Sequence, residues 1–295
     1  MKNSKVFLFT LLILASAAFA LWGQDASSDR VVVPFSDPGK PGLVKAHLIN
    51  GGITVKGYEG KEVIVEAKPR GRVIAAGDEE DDDKDEDEID DDEDARKDKH
   101  AGMRRLTGNS IGWSVEEDNN VIKIETSSWK GSIDLVIQVP WATSLRLHCI
   151  NGGNITVENV RGEIETGNVN GAITLSHISG SAVAQTVNGD IRVSFSKIDP
   201  GKAMSMVTLN GDVDVTLPAE TKATFKLKID HQGDIYSDFE LAVKSTPQKA
   251  VEDKRAHGGR YRVTFENTVI GSINGGGQEI TLKTFNGDIL LRKAK

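Results

Sequence analysis

An Asn-Gly pair followed by alternating apolar residues recurs along this chain and constrains its fold more than any other feature. Each copy has one or two variable residues after the glycine, then an apolar residue, any residue, and a second apolar residue. The copies begin at Asn50, Asn151, Asn170, Asn188, Asn210 and Asn286, with a decayed copy at Gln232. From Asn151 to Gln232 the spacings are 19, 18, 22 and 22 residues, which is the period of a stacked repeat.

The chemistry of this unit favours a stack of short strands. Asn-Gly tolerates positive φ and so turns the chain tightly. Apolar residues at every second position place one face of a strand inward. Each interval also holds a second alternating segment, such as Glu163 to Thr166, so two strands and two turns fit one unit. Because so short a strand pair cannot bury its apolar face alone, the units must stack. The fixed period predicts an all-β solenoid and disfavours the alternative, a sandwich of regular hairpins.

Aligned copies predict which residues form the core. The first apolar residue of each copy should stack on its counterpart in the next unit and line one interior column. The column is predicted to contain Ile155, Ile173, Ile191 and Val213. An aromatic content of only 5% suits a narrow interior of this kind.

The chain divides into an N-terminal β region, residues 31–148, and the Asn-Gly solenoid proper, residues 149–295. Alternating apolar residues predict strands in the first region on both sides of an acidic insert. These strands are Val31 to Val33, Leu43 to Ile49, Ile53 to Val55, Glu62 to Ala67, Ser114 to Val115, Val121 to Glu125 and Ile133 to Val139. A helix is plausible only from Pro247 to Ala256.

The first 20 residues have the features of a secretory signal peptide. Lys2 and Lys5 precede an apolar run, and Ala18-Phe19-Ala20 offers a cleavage site. Residues 21–30 would then be a short linker. The alternative is an uncleaved anchor, because the apolar stretch continues through Leu21 and Trp22. After cleavage we expect no stable membrane insertion, and a location in the periplasm or outside the cell.

The net charge of −8 hides one intensely acidic segment. Residues 78–94 contain fifteen acidic residues and one lysine, so this segment carries −14 and the rest of the chain sums to +6. Such a segment has no apolar content to bury, and residues 76–106 are predicted to be a disordered loop between strands. It lacks the ligand spacing of an EF-hand, so only weak Ca²⁺ association is expected.

The order of the motifs resembles a known family. Ile133 to Val139, Pro140, Leu145 to Leu147, Asn151-Gly152 and the later copies resemble the adhesin-like β-strand-repeat family of bacterial envelope proteins, a domain of unknown function. The ending from Gly271 to Ile289 is also similar, and the likeness covers most of Val31 to Lys295. It implies a right-handed, single-stranded β-helix or a related fold and an extracytoplasmic, adhesin-like role. It transfers no catalytic residues, and the acidic insert departs from the pattern.

The residues point to no catalytic site. We find no nucleophile elbow, phosphate loop or His/Cys metal spacing, and His148 and the lone Cys149 should point to opposite faces of one strand. Cys149 is expected to be a small buried hydrophobe. One acidic column is the candidate metal site, although Asp is also a good turn residue after Asn-Gly. The column comprises Asp190, Asp212, Asp234 and Asp288, with Arg192 and Arg292 nearby.

These observations predict an exported, non-enzymatic envelope protein that binds surface or envelope components through a repetitive β surface. Its expected partner is an envelope protein or a glycan, and no nucleic acid or cofactor is expected. One alternative is a polysaccharide-active β-helix enzyme that uses the acidic column. Another is a scaffold for envelope stress or assembly that binds other proteins. Sugar-stacking aromatic residues would favour a glycan, but Trp113, Trp129 and Trp141 all lie outside the repeat faces.

Overall fold

The computed structural model describes residues 29–70, 112–126, 131–245, 248–253, 261–266 and 268–295. The signal peptide expected at 1–20, most of the linker 21–30 and the acidic loop 76–106 lie outside these residues. Asp29 and Arg30, which we assigned to the linker, already belong to the first strand. Within the described ranges the chain forms strands, turns and bends, and no helix. None of its elements is therefore an apolar helix long enough to cross a bilayer.

Most strands belong to two sheets that share one apolar core. In sheet A the order of neighbours runs from one end of the molecule to the other. The strands are β1 (Asp29–Pro34), β4 (Glu62–Arg70), β7 (Ser132–Pro140), β3 (Ile53–Tyr58), β9 (Ile155–Glu158), the first half of β11 (Ile173–Asn188), β12 (Ile191–Ile198), β14 (Val213–Leu217), β22 (Ile289–Lys293) and β16 (Ile235–Ser237).

Sheet B is built in the same way. Its order is β5 (Trp113–Asp118), β6 (Val121–Thr126), β2 (Leu43–Asn50), β8 (Ser144–Asn151), β10 (Glu163–Asn168), the second half of β11, β13 (Met204–Asn210), β21 (Gln278–Asn286), β15 (Ala223–Gln232), β20 (Thr268–Ile273) and β17 (Ala242–Ser245). A separate hairpin joins β18 (Gln248–Asp253) to β19 (Tyr261–Glu266). The helix expected at Pro247 to Ala256 is wrong in its described part, since residues 248–253 form β18, which pairs with β19.

The repeat unit is a rung that contains one strand of each sheet. A sheet B strand leads through an Asn-Gly pair into a sheet A strand, as β8 leads into β9. The chain passes from sheet B to sheet A at one side of the stack, which we call the regular edge. It returns from sheet A to sheet B at the other side, which we call the opposite edge. Neighbouring rungs pair in parallel, and antiparallel strands close both ends of the stack. The predicted all-β solenoid is therefore confirmed.

The predicted interior column is present. Ile173 pairs with Ile155 on one side and with Ile191 on the other, and Ile191 pairs with Val213. All four side chains are completely buried. The column continues beyond them through Ile53 and Ile289.

The order of rungs differs from the order of the sequence at two places. The earliest rung, β2/β3, lies inside the stack between β6/β7 and β8/β9. The last rung, β21/β22, lies between β13/β14 and β15/β16. Asn50-Gly51 has the same corner chemistry as the later copies, so Asn50 aligns directly with Asn151. Strands from before and after residue 149 therefore stack in the same two sheets.

Candidate functional site

The regular edge is tied together by a ladder of asparagine side chains. Each amide nitrogen donates to the amide oxygen of the asparagine below it, at 2.9–3.2 Å. The ladder contains Asn151, Asn170, Asn188, Asn210 and Asn286. At its end, Oδ1 of Asn286 lies 2.8 Å from Nδ1 of His231. The asparagine of the motif thus joins rungs, in addition to favouring the turn.

The glycine of the motif is required by the close approach of neighbouring rungs. Gly211 has φ of 146°, a conformation that other residues rarely adopt. A Cβ atom at this position would lie 2.3 Å from the carbonyl oxygen of Gly189. One turn of backbone therefore packs directly on the next. Beside it, the buried hydroxyl of Thr208 donates to the same Gly189 carbonyl at 2.9 Å.

The predicted acidic column lies at this edge, in a different order from that expected. Asp288 lies between Asp212 and Asp234, because β21/β22 is inserted there. Three of the four carboxylates accept a hydrogen bond from the backbone N–H of the next aspartate. Asp190 accepts from Asp212 at 3.0 Å, Asp212 from Asp288 at 2.8 Å, and Asp288 from Asp234 at 2.8 Å. These contacts explain why aspartate follows Asn-Gly.

The surroundings of the acidic column add ion pairs. Arg192 contacts Asp190 at 2.7 Å, while Arg292 contacts Asp214, in the adjacent outward position, at 2.9 Å. Across the described residues, no group of three or more His, Cys, Asp or Glu side chains is arranged to hold a metal ion. The arrangement can therefore do structural work, since its oxygens already accept backbone and guanidinium donors.

Cys149 and His148 point to opposite sides of β8, as expected. Cys149 is fully buried, and this burial, together with the charge of Asp134, raises the pKa of its thiol to about 12. A thiol held protonated in this way is a poor nucleophile. His148 is exposed and makes an edge-to-face contact with His47, with ring centroids 5.6 Å apart.

The outer face of sheet B carries a feature that the sequence analysis missed. The residue immediately before each asparagine of the motif is apolar and points outward, whereas the residue before that points into the core. We call these residues the outer apolar stripe. It comprises Ile49, Ile150, Val169, Val187, Leu209 and Phe285. The signal was present in the sequence, because every complete Asn-Gly copy follows an apolar residue.

The stripe runs parallel to the long axis of the stack for about 24 Å, given about 4.8 Å between neighbouring strands. Its second half is the more exposed, with 38% of Val187, 44% of Leu209 and 38% of Phe285 accessible to solvent. The Phe285 ring stacks on His231 at a centroid distance of 5.3 Å. An open groove of about 410 Å³ lies beside the stripe, and its other wall includes Lys283.

Comparisons with known proteins gave one family match and two similar solved structures. A family model described as Toastrack DUF4097 matches residues 114–292. A comparison with curated proteins gave no match. Two solved structures are similar: a candidate cell adhesion protein from Clostridium sporogenes (13% identity, TM-score 0.41, covering 91% of this chain and 100% of that one) and a candidate adhesin from Bacteroides fragilis (9%, 0.34, 90% and 98%). At these scores neither structure carries an argument about this chain. The family match spans more than half of the residues, and the chain therefore belongs to the Toastrack DUF4097 family.

Proposed function

We propose that this chain is a non-enzymatic, adhesin-like binding protein of the bacterial envelope, and that its outer apolar stripe binds another envelope protein. The observation that carries the proposal is the stripe itself. Contiguous apolar residues on the outside of a folded protein are typical of surfaces that contact a partner. Here they recur in every complete Asn-Gly copy, and three of them, Val187, Leu209 and Phe285, are more than a third exposed.

The composition of the stripe favours a protein as its partner. Five of its six residues are aliphatic, while sugar rings are bound mainly by aromatic faces. A polar rim flanks it, with the asparagine ladder on one side and Gln185 and Lys283 on the other. An apolar centre with a polar rim is the usual anatomy of a protein interface. The groove is open along its length, so it cannot enclose an acyl chain.

Two further observations support the rest of the proposal. The carboxylates that an enzyme of the β-helix type would use are hydrogen-bonded to backbone N–H groups at 2.8–3.0 Å, which suits a structural role. The basic start, apolar run and Ala18-Phe19-Ala20 of the sequence support export to the periplasm or cell surface. Retention of residues 1–22 as an anchor would serve the same function at the membrane.

Site-specific photocrosslinking would test the partner. A photoreactive amino acid would replace Leu209 in the stripe, and in a matched control it would replace Thr216, which lies on the outer face of sheet A in the same rung. Both variants would be made in the native host. We expect a discrete crosslinked protein from position 209 alone, identified by mass spectrometry. The purified partner should then bind the Leu209→Lys variant at least tenfold more weakly than the Thr216→Lys variant.

Other outcomes would overturn the proposal. Crosslinks from position 209 only to lipid, only to a second copy of this chain, or equally from both positions would exclude a partner-specific stripe. The enzymatic alternative is tested by incubation with acidic polysaccharide and Ca²⁺, where we expect no new reducing ends. Release of products that Asp190→Ala or Asp212→Ala abolishes would make the acidic column an active site.

A further inference from the structure

A cleft at the opposite edge of the stack has a composition unlike the stripe. It has a volume of about 620 Å³ and crosses four neighbouring rungs. Its lining includes two aromatic side chains, Tyr58 and Trp141, and two permanent cations, Arg161 and Lys197. The remaining lining residues are Gly57, Asn159, His177, Ser179 and Ser196, so none of the lining residues that the structure describes carries a carboxylate.

The aromatic side chains are held in place by backbone contacts. Trp141 follows β7, and its carbonyl oxygen accepts a hydrogen bond of 2.7 Å from the backbone N–H of Arg161. The Trp141 ring is close to Gly57, where a Cβ atom would lie 3.0 Å from ring carbon Cδ1. The hydroxyl of Tyr58 donates to the carbonyl oxygen of Glu62 at 2.8 Å. Both rings therefore have defined positions before any ligand is present.

The arginine of the cleft differs from four other arginines of the stack. Arg70, Arg146, Arg192 and Arg292 each pair with a carboxylate. Arg161 instead places its guanidinium 4.4 Å from the centre of the Trp141 ring. Among the described residues neither Arg161 nor Lys197 has an ion-pair partner, since the nearby acids Glu158 and Asp199 pair with Lys56 and Lys202. Positive charge in the cleft is thus left for a ligand.

The backbone of the cleft is also unusual. Asn159 and His177 adopt φ of 59° and 52°, values that are uncommon for residues other than glycine. His177 interrupts the register of β11 with β12, and its backbone N–H donates to the hydroxyl of Ser194 at 3.0 Å. Such conformations often occur where a fold presents side chains to a ligand.

From these features we propose that the cleft binds an anionic saccharide, with Trp141 and Tyr58 contacting sugar rings and Arg161 and Lys197 contacting carboxylate or sulfate groups. Arg is suited to planar, bidentate contact with such groups. Four rungs extend over about 14 Å, a length that takes a short oligosaccharide lengthwise. The proposal goes beyond the binding of a protein to the stripe, because it concerns the other edge of the molecule and a different ligand.

Calorimetry with defined oligosaccharides would test the site on the chain from residue 21 onward. The probes are an oligogalacturonate of four units, a neutral maltotetraose of the same length, and inorganic sulfate. The variants are Arg161→Met, Lys197→Met and Trp141→Ala, with Lys222→Met as the control, since Lys222 is an exposed lysine that does not line the cleft. Melting temperatures would establish that each variant is folded.

We expect the acidic oligosaccharide to bind at least tenfold more tightly than the neutral one. Arg161→Met or Lys197→Met should weaken its binding at least tenfold, while Lys222→Met should change it less than twofold. Absence of binding, equal affinity for maltotetraose, or full competition by sulfate at equal concentration would overturn the proposal. The Leu209→Lys substitution lies on the outer apolar stripe and leaves this cleft intact. Oligosaccharide binding that this variant retains therefore tests the cleft independently of protein binding to the stripe.

Discussion

The two edges of the stack are built on different principles. At the regular edge the same contacts recur from Asn170 to Asn286, with an asparagine ladder and glycines packed on carbonyl oxygens of the neighbouring rung, and from Asn188 onward aspartate carboxylates accept hydrogen bonds from the next rung. At the opposite edge each passage between the sheets is individual. Asn159 to Gly162 forms a short loop, β11 crosses with an irregularity at His177, and Asp199 to Ala203 forms a longer loop.

This difference gives the regular edge a structural role and leaves the opposite edge for binding. A contact repeated along a stack stabilises each rung through its two neighbours, so a residue at the regular edge can vary little. At the opposite edge the backbone is also hydrogen-bonded between rungs, as from Ser179 to Val160 and from Asp199 to Gly180, but the loops differ in length and side chains, and surface loops tolerate such change. The Asn-Gly motif is therefore mainly structural, and the opposite edge is where a recognition site can develop.

The largest expected effect on the free energy of unfolding comes from replacing one of two isoleucines, which lie at the two ends of β12. Ile191, next to the regular edge, is fully buried between Ile173 and Val213, whereas Ile198 at the opposite edge is only partly buried. Ile191→Asp should lower the free energy of unfolding by about 4 kcal/mol or more, because it buries an unpaired charge. Ile198→Asp should cost less than half as much. Urea denaturation measures both, and equal losses would remove the distinction between the edges.

The next comparison concerns glycines. Gly211→Ala places a Cβ atom 2.3 Å from a backbone oxygen, so the rungs must move apart, and we expect a loss of about 3 kcal/mol. Gly201 at the opposite edge also has positive φ, of 94°, but a Cβ atom there would meet no atom within 4 Å. Gly201→Ala should therefore cost only the conformational strain, about 1 kcal/mol. Thermal denaturation would distinguish them, and a greater loss for Gly201→Ala would contradict the packing argument.

A smaller effect is expected from a single hydroxyl. Thr208→Val keeps the shape of the side chain but removes the buried hydrogen bond to the Gly189 carbonyl, which should cost about 1 kcal/mol. Thr216→Val, on the outward face of sheet A, should be nearly neutral. Chemical denaturation of the pair gives the difference. If the two variants were equally stable, the threonine contact would have no role in joining the rungs.

The smallest effect involves Glu163 and Lys202, which form an ion pair at the opposite edge. The hydrogen bond from Lys202 lowers the pKa of Glu163 below its ordinary value of 4.5. The stabilisation is therefore present above the pKa of the unfolded state and is lost as the pH falls through the lower pKa of the folded state. Glu163→Gln should reduce the melting temperature slightly at pH 7 and not at pH 2.5. Exposed pairs are screened, so added salt should also remove the difference, and a pH-independent loss would refute this explanation.

The sequence was sufficient to predict the stacked strands and the interior column because both depend on a repeated local pattern. The positions of Ile155, Ile173 and Ile191 follow directly from their spacing after Asn-Gly. The place of Asp288 between Asp212 and Asp234 did not follow from the sequence. It depends on which rungs the last rung pairs with, and that pairing is set by the strands left unpaired in the assembled stack. The cleft could not be predicted either, because Tyr58, Trp141 and Lys197 share no motif and meet only through the fold.

The position of β21/β22 also affects how the molecule can be assembled. These residues follow all the other strands in the sequence, yet they separate β13/β14 from β15/β16. Until they are available, two parallel strand edges in each sheet have no permanent neighbour, and winding from the N-terminus cannot complete the domain. Contacts between residues so distant in sequence also slow folding. If the chain crosses a membrane in an extended state, this connectivity leaves both sheets interrupted until β21/β22 have passed, so secretion and closure of the domain become successive events.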